Sequence, residues 1–195
     1  MINNPLISKK SKIFSLHPNK FGYKGINKMR TLRKRRKQRK TDYGKRLKLL
    51  KSGLPRIAFR KTNKYVNSQY VESKEARDKV LLEVSSKKLL NYGWPKEQEG
   101  SLKTIPAAYL TGFLMGKKIL KRKLPQKIII DSGMIIMKNK TKPFAFIKGL
   151  IDSGINITCK EDAFPEEDRI TGKSLKKDFS EKFNEIKLKI EEKEK

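Results

Sequence analysis

"RIAFRKTNKYVNSQYVES", residues 56–73, carries a period-two pattern broken by a turn. Ile57 and Phe59 alternate with Arg56, Ala58 and Arg60, the period-two signature of a strand with one buried face. Thr62, Asn63 and Lys64 supply a turn, and Val66 to Glu72 reads as a second strand. "SKEARD", residues 73–78, turns the chain again into a third strand from Lys79 to Val84. Short strands joined by brief connections predict an antiparallel meander.

Downstream the period changes. "SSKKLLNYGW", residues 85–94, reads as a short helix closed by Gly93. "TIPAAYLTGFLMGKKILKR", residues 104–122, is the strongest helix: Thr104 caps it, Pro106 fixes its first turn, and Lys and Arg crowd its end. Gly112 and Gly116 are one helical turn apart, and the expectation is that they let this helix approach the sheet closely. "KIIIDSG", residues 127–133, reads as a buried strand, and the apolar run Met134 to Met137 is also strand-sized. "PFAFIKGLIDSG", residues 143–154, is a helix that begins at Pro143 and stops at Gly154. A last helix from about Ser174 places Leu175, Phe179, Phe183, Ile186 and Ile190 on one face. Strands followed by helix, strand and helix predict an α/β fold, a mixed sheet with helices packed upon it. The expected organisation is a basic extension at 1–40, an α/β domain at 41–172 and a C-terminal helix at 173–195.

The charge is one-sided. Of a net +29, residues 1–64 carry 22 Lys and Arg against the single acid Asp42, while the rest carries 27 against 19. A field of this density favours nucleic acid, because each Lys or Arg that meets a phosphate releases condensed counterions. Anionic membrane fits less well: the basic run has no flanking apolar anchor, and no apolar stretch approaches the roughly 20 residues of a span. Cys159 is the only cysteine, so no intramolecular disulfide is possible and a reducing compartment is expected. Residues 1–27 lack acids but also lack Arg, and Pro5, Pro18 and Gly22 interrupt them, so they do not read as a transit peptide. Residues 1–29 are more aromatic than an ordinary tail, which suits ordering on a partner.

Catalytic chemistry is hard to find. His17 is the only histidine and lies in the irregular N-terminal segment, without an orienting acid. Cys159 has no histidine partner, and no Cys/His cluster has zinc spacing. Asp131 ends an apolar strand, as nuclease carboxylates often do, but only Asp152 is near it in sequence, and metal-dependent phosphoryl chemistry needs several convergent acids. "GFLMGKK", residues 112–118, misses the phosphate-loop pattern in spacing and in its last residue, and it sits within a helix. No catalytic residue, metal, cofactor or small-molecule substrate is expected.

Upstream of the meander lies the basic arm. Arg33, Lys34, Arg35, Arg36, Lys37, Arg39 and Lys40 cannot fold on their own. Thr41 or Asp42 then caps a helix running to about Ser52 and stopped by Gly53. Leu47, Leu49 and Leu50 are expected to grip the domain, leaving Arg46, Lys48 and Lys51 to face outward; Gly44 weakens the helix by about 1 kcal/mol relative to Ala. Arg56, Arg60, Lys61 and Lys64 carry the charge onto the first hairpin. Tyr43, Tyr65 and Tyr70 are interleaved, as in proteins that stack on unpaired bases.

"KTDYGKRLKLLKSGLPRIAFRKTNKY" (40–65) resembles the opening of the universal large-subunit ribosomal protein eighteen family in its archaeal form, the counterpart of eukaryotic large-subunit protein five. "LLNYGW" (89–94), "TIPAAYLTGFLMGKK" (104–118), "FAFIKGLIDSGINI" (144–157) and "FPEEDRITG" (164–172) continue the resemblance in order. It implies a non-enzymatic, cytoplasmic constituent of the large ribosomal subunit that binds 5S ribosomal RNA and anchors it to the large-subunit RNA in the central protuberance. Universal large-subunit protein five is the implied protein neighbour. Carried over residue by residue, the implied RNA-facing set is Arg33 to Lys40 (excepting Gln38) with Thr41, Tyr43, Arg46, Lys48, Arg56, Arg60, Lys61, Asn63 and Lys64. The chain departs from the pattern at Gly44, where Arg is common, and in its extension over residues 1–29. Two other classes fit parts of the sequence: a metal-dependent nuclease using Asp131, and a general DNA-compacting protein, which explains the charge but not the core.

Overall fold

In the computed structural model, which describes residues 33–38, 40–75, 77–175 and 178–194, the meander forms with longer strands than its pattern suggested. They are β1 (Arg56–Lys61), β2 (Val66–Lys74) and β3 (Arg77–Ser85). Both pairings are antiparallel: Ile57 lies opposite Tyr70 and Phe59 opposite Ser68, with an irregularity between Tyr70 and Val71 against β3. A short strand β4 (Ile129–Asp131) joins the free edge of β1 in parallel. The sheet is therefore mixed, in the order β3-β2-β1-β4.

Upstream are α1, a single turn at Lys34–Lys37, and α2 (Tyr43–Lys51). Downstream are α3 (Ile105–Lys121), α4 (Lys142–Asp152), α5 (Glu167–Thr171) and α6 (Ser180–Lys193). The short helix expected at 85–94 forms over Ser86–Tyr92 as a 3₁₀ helix, and it ends at Gly93 with φ +104°. Two more 3₁₀ turns, Lys96–Ser101 and Glu161–Ala163, and α5 carry no period strong enough to be read from sequence. Met134 to Met137 forms no strand; Met134 and Ile136 are exposed at 49% and 76%. Among the described residues no helix is long and apolar enough to cross a membrane.

One core unites the sheet with α3, α4 and α6. Ile57, Phe59, Val66, Tyr70, Leu82 and Val84 project from the strands onto Leu110, Phe113 and Leu114 of α3 and Phe146 and Leu150 of α4. Phe59 and Phe146 meet with ring centroids 5.0 Å apart. The glycines of α3 do not serve the sheet as expected. A Cβ on Gly112 would sit 2.2 Å from the carbonyl oxygen of Phe146, and one on Gly116 would strike Ser153. Gly149 answers from α4, where a Cβ would lie 2.2 Å from the Tyr109 carbonyl oxygen. The missing side chains bring helix against helix, backbone to backbone.

The C-terminal helix begins later than its apolar stripe suggested, at Ser180. Phe179, Phe183, Ile186 and Ile190 are buried, whereas Leu175 is 40% exposed. Phe179 packs on Trp94 at 4.7 Å and Phe183 on Tyr109 at 5.4 Å. The far end is latched: the Tyr92 hydroxyl donates to Glu194 Oε1 at 2.7 Å, and Lys118 Nζ lies 3.4 Å from the same carboxylate. Burial, then that hydrogen bond and the Glu194 charge, push the Tyr92 hydroxyl well above the ordinary tyrosine range.

Candidate nucleic-acid interface

The basic stretch enters the described structure at Arg33, whose guanidinium lies 4.9 Å above the ring of Tyr43. Arg33, Lys34, Arg35, Arg36, Lys37 and Lys40 are all exposed; Arg39 lies outside the described residues. Arg35 Nε donates to Thr41 Oγ1 at 2.9 Å, which fixes the arm to the start of α2. Asp42 is the cap: its Oδ1 accepts from the N–H groups of Gly44 and Lys45 at 3.0 and 3.2 Å. These donors have no partner inside the helix, so a side-chain acceptor is needed where the arm ends, and Asp42 supplies it.

No residue of α2 is buried. Leu47 is 55% exposed and Leu49 and Leu50 only partly covered, so the leucines do not grip the domain as expected. Polar side chains hold α2 instead. Lys45 Nζ donates to Ser132 Oγ at 2.9 Å and to the Gly133 carbonyl at 3.2 Å, joining α2 to the loop after β4. Arg46 donates to Asp78 Oδ2 at 2.7 Å, joining it to β3.

Asp78 is also the partner of Arg56, whose guanidinium approaches the same carboxylate at 2.8 Å and donates to Ser73 Oγ at 2.7 Å. Arg56 and Ala58 are therefore buried rather than solvated, and β1 is covered on both faces over its first half. Burial raises the Asp78 carboxyl pKa, but hydrogen bonds from Ser73, Arg56 and Arg46 and the Arg56 charge outweigh it, and the group sits below the usual aspartate value.

Asp131 is the second organising acid. Arg60 donates to its Oδ2 and to its carbonyl oxygen, both at 2.7 Å, and Gly133 N–H donates to Oδ1 at 2.8 Å. Burial again raises this carboxyl, and the Arg60 and Gly133 hydrogen bonds with the charges of Arg60 and Lys45 bring it below the ordinary value. Gly133 has φ +60°, and a Cβ there would lie 2.9 Å from the Arg60 guanidinium carbon, so only glycine allows that arginine its place. Both Asp131 oxygens are committed to structure, and among the described residues no group of three or more His, Cys, Asp and Glu could hold a metal ion. The donor set for nuclease chemistry is not assembled around Asp131.

Arm, α2 and strand ends enclose a polar cavity of about 120 Å³, lined by Arg35, Lys40, Arg46, Arg56 and Arg60 with Asp42 and Asp131. Beyond it the β1–β2 turn exposes Lys61, Asn63 and Lys64. Thr62 Oγ1 accepts from Tyr65 N–H at 2.9 Å and so shapes that turn. Of the interleaved tyrosines, Tyr43 lies under Arg33 and Tyr65 donates to Glu99 at 2.8 Å. Tyr70 is fully buried and donates to the Pro125 carbonyl at 3.0 Å, so its ring is a core residue and not a stacking platform. Lys48, Lys61 and Lys64 are exposed and have no acidic partner within 4.0 Å among the described residues. Lys45 was missed by sequence reading, since its partners lie 87 and 88 residues away.

Comparison with known proteins bears on this surface. A family model described as "Ribosomal large subunit proteins 60S L5, and 50S L18" matches residues 27–125. The "Large ribosomal subunit protein uL18" of Korarchaeum cryptofilum is 39% identical over 152 residues, 78% of this chain and 75% of that protein. Its namesake in Methanoculleus marisnigri is 35% identical over 81% of this chain and 87% of that protein. That of Methanothrix thermoacetophila is 35% identical over 73% and 82%.

Proposed function

The chain belongs to the family of ribosomal large-subunit proteins 60S L5 and 50S L18, and on that premise we propose that it binds 5S ribosomal RNA and anchors it to the large-subunit RNA in the central protuberance. Family membership makes it a structural, non-enzymatic constituent of the large ribosomal subunit. The observation that supports the finer reading is the run of exposed cations from the arm through Lys48 to Lys61 and Lys64, set on a folded scaffold. In this reading Arg33 to Lys37, Arg39 and Lys40 neutralise phosphates irrespective of sequence. Thr41, Tyr43 and Asn63 supply polar and stacking contacts, and Arg46, Arg56 and Arg60 hold α2 and the strands in register beneath the RNA. Universal large-subunit protein five is the proposed protein neighbour.

The test is a gel shift of the full chain with 5S RNA against an unrelated structured RNA of equal length at physiological salt. Preference for 5S RNA is expected. Equal affinity would remove the specific assignment, whatever the salt dependence of either complex.

A further inference from the structure

A second surface carries uncompensated positive charge. Between β1, the start of α3 and the loop leading into α4 lies an open groove of about 300 Å³. Its floor is apolar, formed by Phe59, Ile105, Ile135 and Pro143. Its rim is cationic: Lys61, Lys138, Lys140, Lys142 and Arg169. Among the described residues only Lys140 of that rim has an acid in ion-pair range, Glu166 at 2.9 Å. Lys142 is partly buried, and burial, then the neighbouring charges of Lys61 and Lys103, lower its pKa. Like charges are thus crowded around an apolar floor, an arrangement that costs free energy until an anion arrives. At the mouth, Ile136 is 76% exposed.

We propose that this groove takes one unpaired nucleotide of ribosomal RNA, its base on the apolar floor and its flanking phosphates on Lys61, Lys138 and Lys142. The inference rests on the RNA-binding reading above and extends it to a second site. An unstacked nucleotide matches the surface: a flat, weakly polar body flanked by a negative charge on either side. Lys61 makes the groove continuous with the hairpin tip already assigned to RNA. A protein segment would need acids spaced on both sides of an apolar residue, whereas RNA supplies that charge at every step.

The experiment places a benzophenone amino acid at position 136 of the full chain and irradiates purified large subunits carrying it. A crosslink to one unpaired ribosomal RNA nucleotide is expected, with Lys142→Gln in the same chain lowering its yield several-fold. The same nucleotide should gain reactivity toward a 2′-hydroxyl acylating reagent in subunits carrying Ile136→Glu, an exposed position where the fold tolerates charge. Crosslinking to a protein, crosslinking to paired nucleotides only, or no crosslink from subunits that contain the chain would each overturn the groove assignment. Those results would leave 5S binding standing, because the gel shift reports on that separately.

Discussion

Asp78 accepts from two arginines that arrive from different elements, and the pair are not equivalent. The Arg56 side chain is 7% exposed and Arg46 38%, against 27% for Asp78 itself. Removing Arg56 leaves a cavity and an under-compensated carboxylate, so Arg56→Ala is expected to cost about 3 kcal/mol in urea unfolding. Arg46 sits in more solvent, where the ion pair is screened, and Arg46→Ala should cost less than about 1 kcal/mol. Equal losses would contradict this ranking. The acids also set the acid limit of the fold. Asp78 and Asp131 have folded-state pKa values below the ordinary aspartate value of 3.8, so their stabilisation is complete above that value and is lost as pH falls through the folded values. Stability should thus be insensitive to these groups from neutral pH to about 5 and decline below about 4. Asp131→Asn should lower stability at neutral pH and flatten the decline; an unchanged acid slope would show that Asp131 is not one of its sources.

At the scale of elements, α3 and α4 depend on atoms that are absent. Gly112→Ala or Gly149→Ala would put a methyl group about 2.2 Å from a backbone oxygen, which no rotamer change can relieve. Each should cost about 3 kcal/mol or more, above the usual range for overpacking, because the obstacle is main chain. The double variant should cost less than the sum, since a single separation of the helices relieves both clashes. Additive losses in a denaturant series would place the clashes elsewhere. Gly44 is the contrast: a Cβ there meets only Asp42 Oδ1, at 3.4 Å, and its φ is not positive. Gly44→Ala is expected to raise stability by up to about 1 kcal/mol, read by thermal melting. These cases mark what the sequence disclosed. The period-two run at Ile57 and Phe59, the Asp42 cap, the Thr104 start and the Gly93 and Gly154 stops are local signals, and the elements follow them closely, although the Thr104 hydroxyl donates to the Ser101 carbonyl instead of capping α3. Gly112 and Gly116 announced a close approach, but which neighbour approaches depends on how α4 returns, and no local pattern holds that. Arg56 looked solvated because its acid comes from β3, and the leucines of α2 looked like core because helical spacing cannot say what lies opposite. Within the candidate site, the arm was visible as composition, whereas the Lys45 tether and the groove rim join residues far apart in the chain.

Across the whole molecule the cations divide into two populations, and the division is measurable. Some are consumed by the fold: Arg46, Arg56 and Arg60 by Asp78 and Asp131, Lys118 and Lys121 by Glu194. Others, Lys48 and Lys64 among them, stand exposed with no acid in range among the described residues. Net charge alone would make all of them equal contributors to RNA affinity. If exposure decides instead, Lys48→Ala with Lys64→Ala should leave the melting temperature unchanged while weakening the proposed binding of 5S RNA. The log–log salt slope should become shallower by about 0.7 to 0.9 for each phosphate that is no longer neutralised. Arg56→Ala should do the reverse, lowering the melting temperature while leaving the salt slope of the folded fraction nearly intact. A common slope change for both variants would mean that the buried guanidinium reaches phosphate after all, and that the Asp78 network opens when RNA binds. The direct check is the salt series itself, taken below the melting temperature of the weaker variant so that unfolding does not contribute to the apparent affinity.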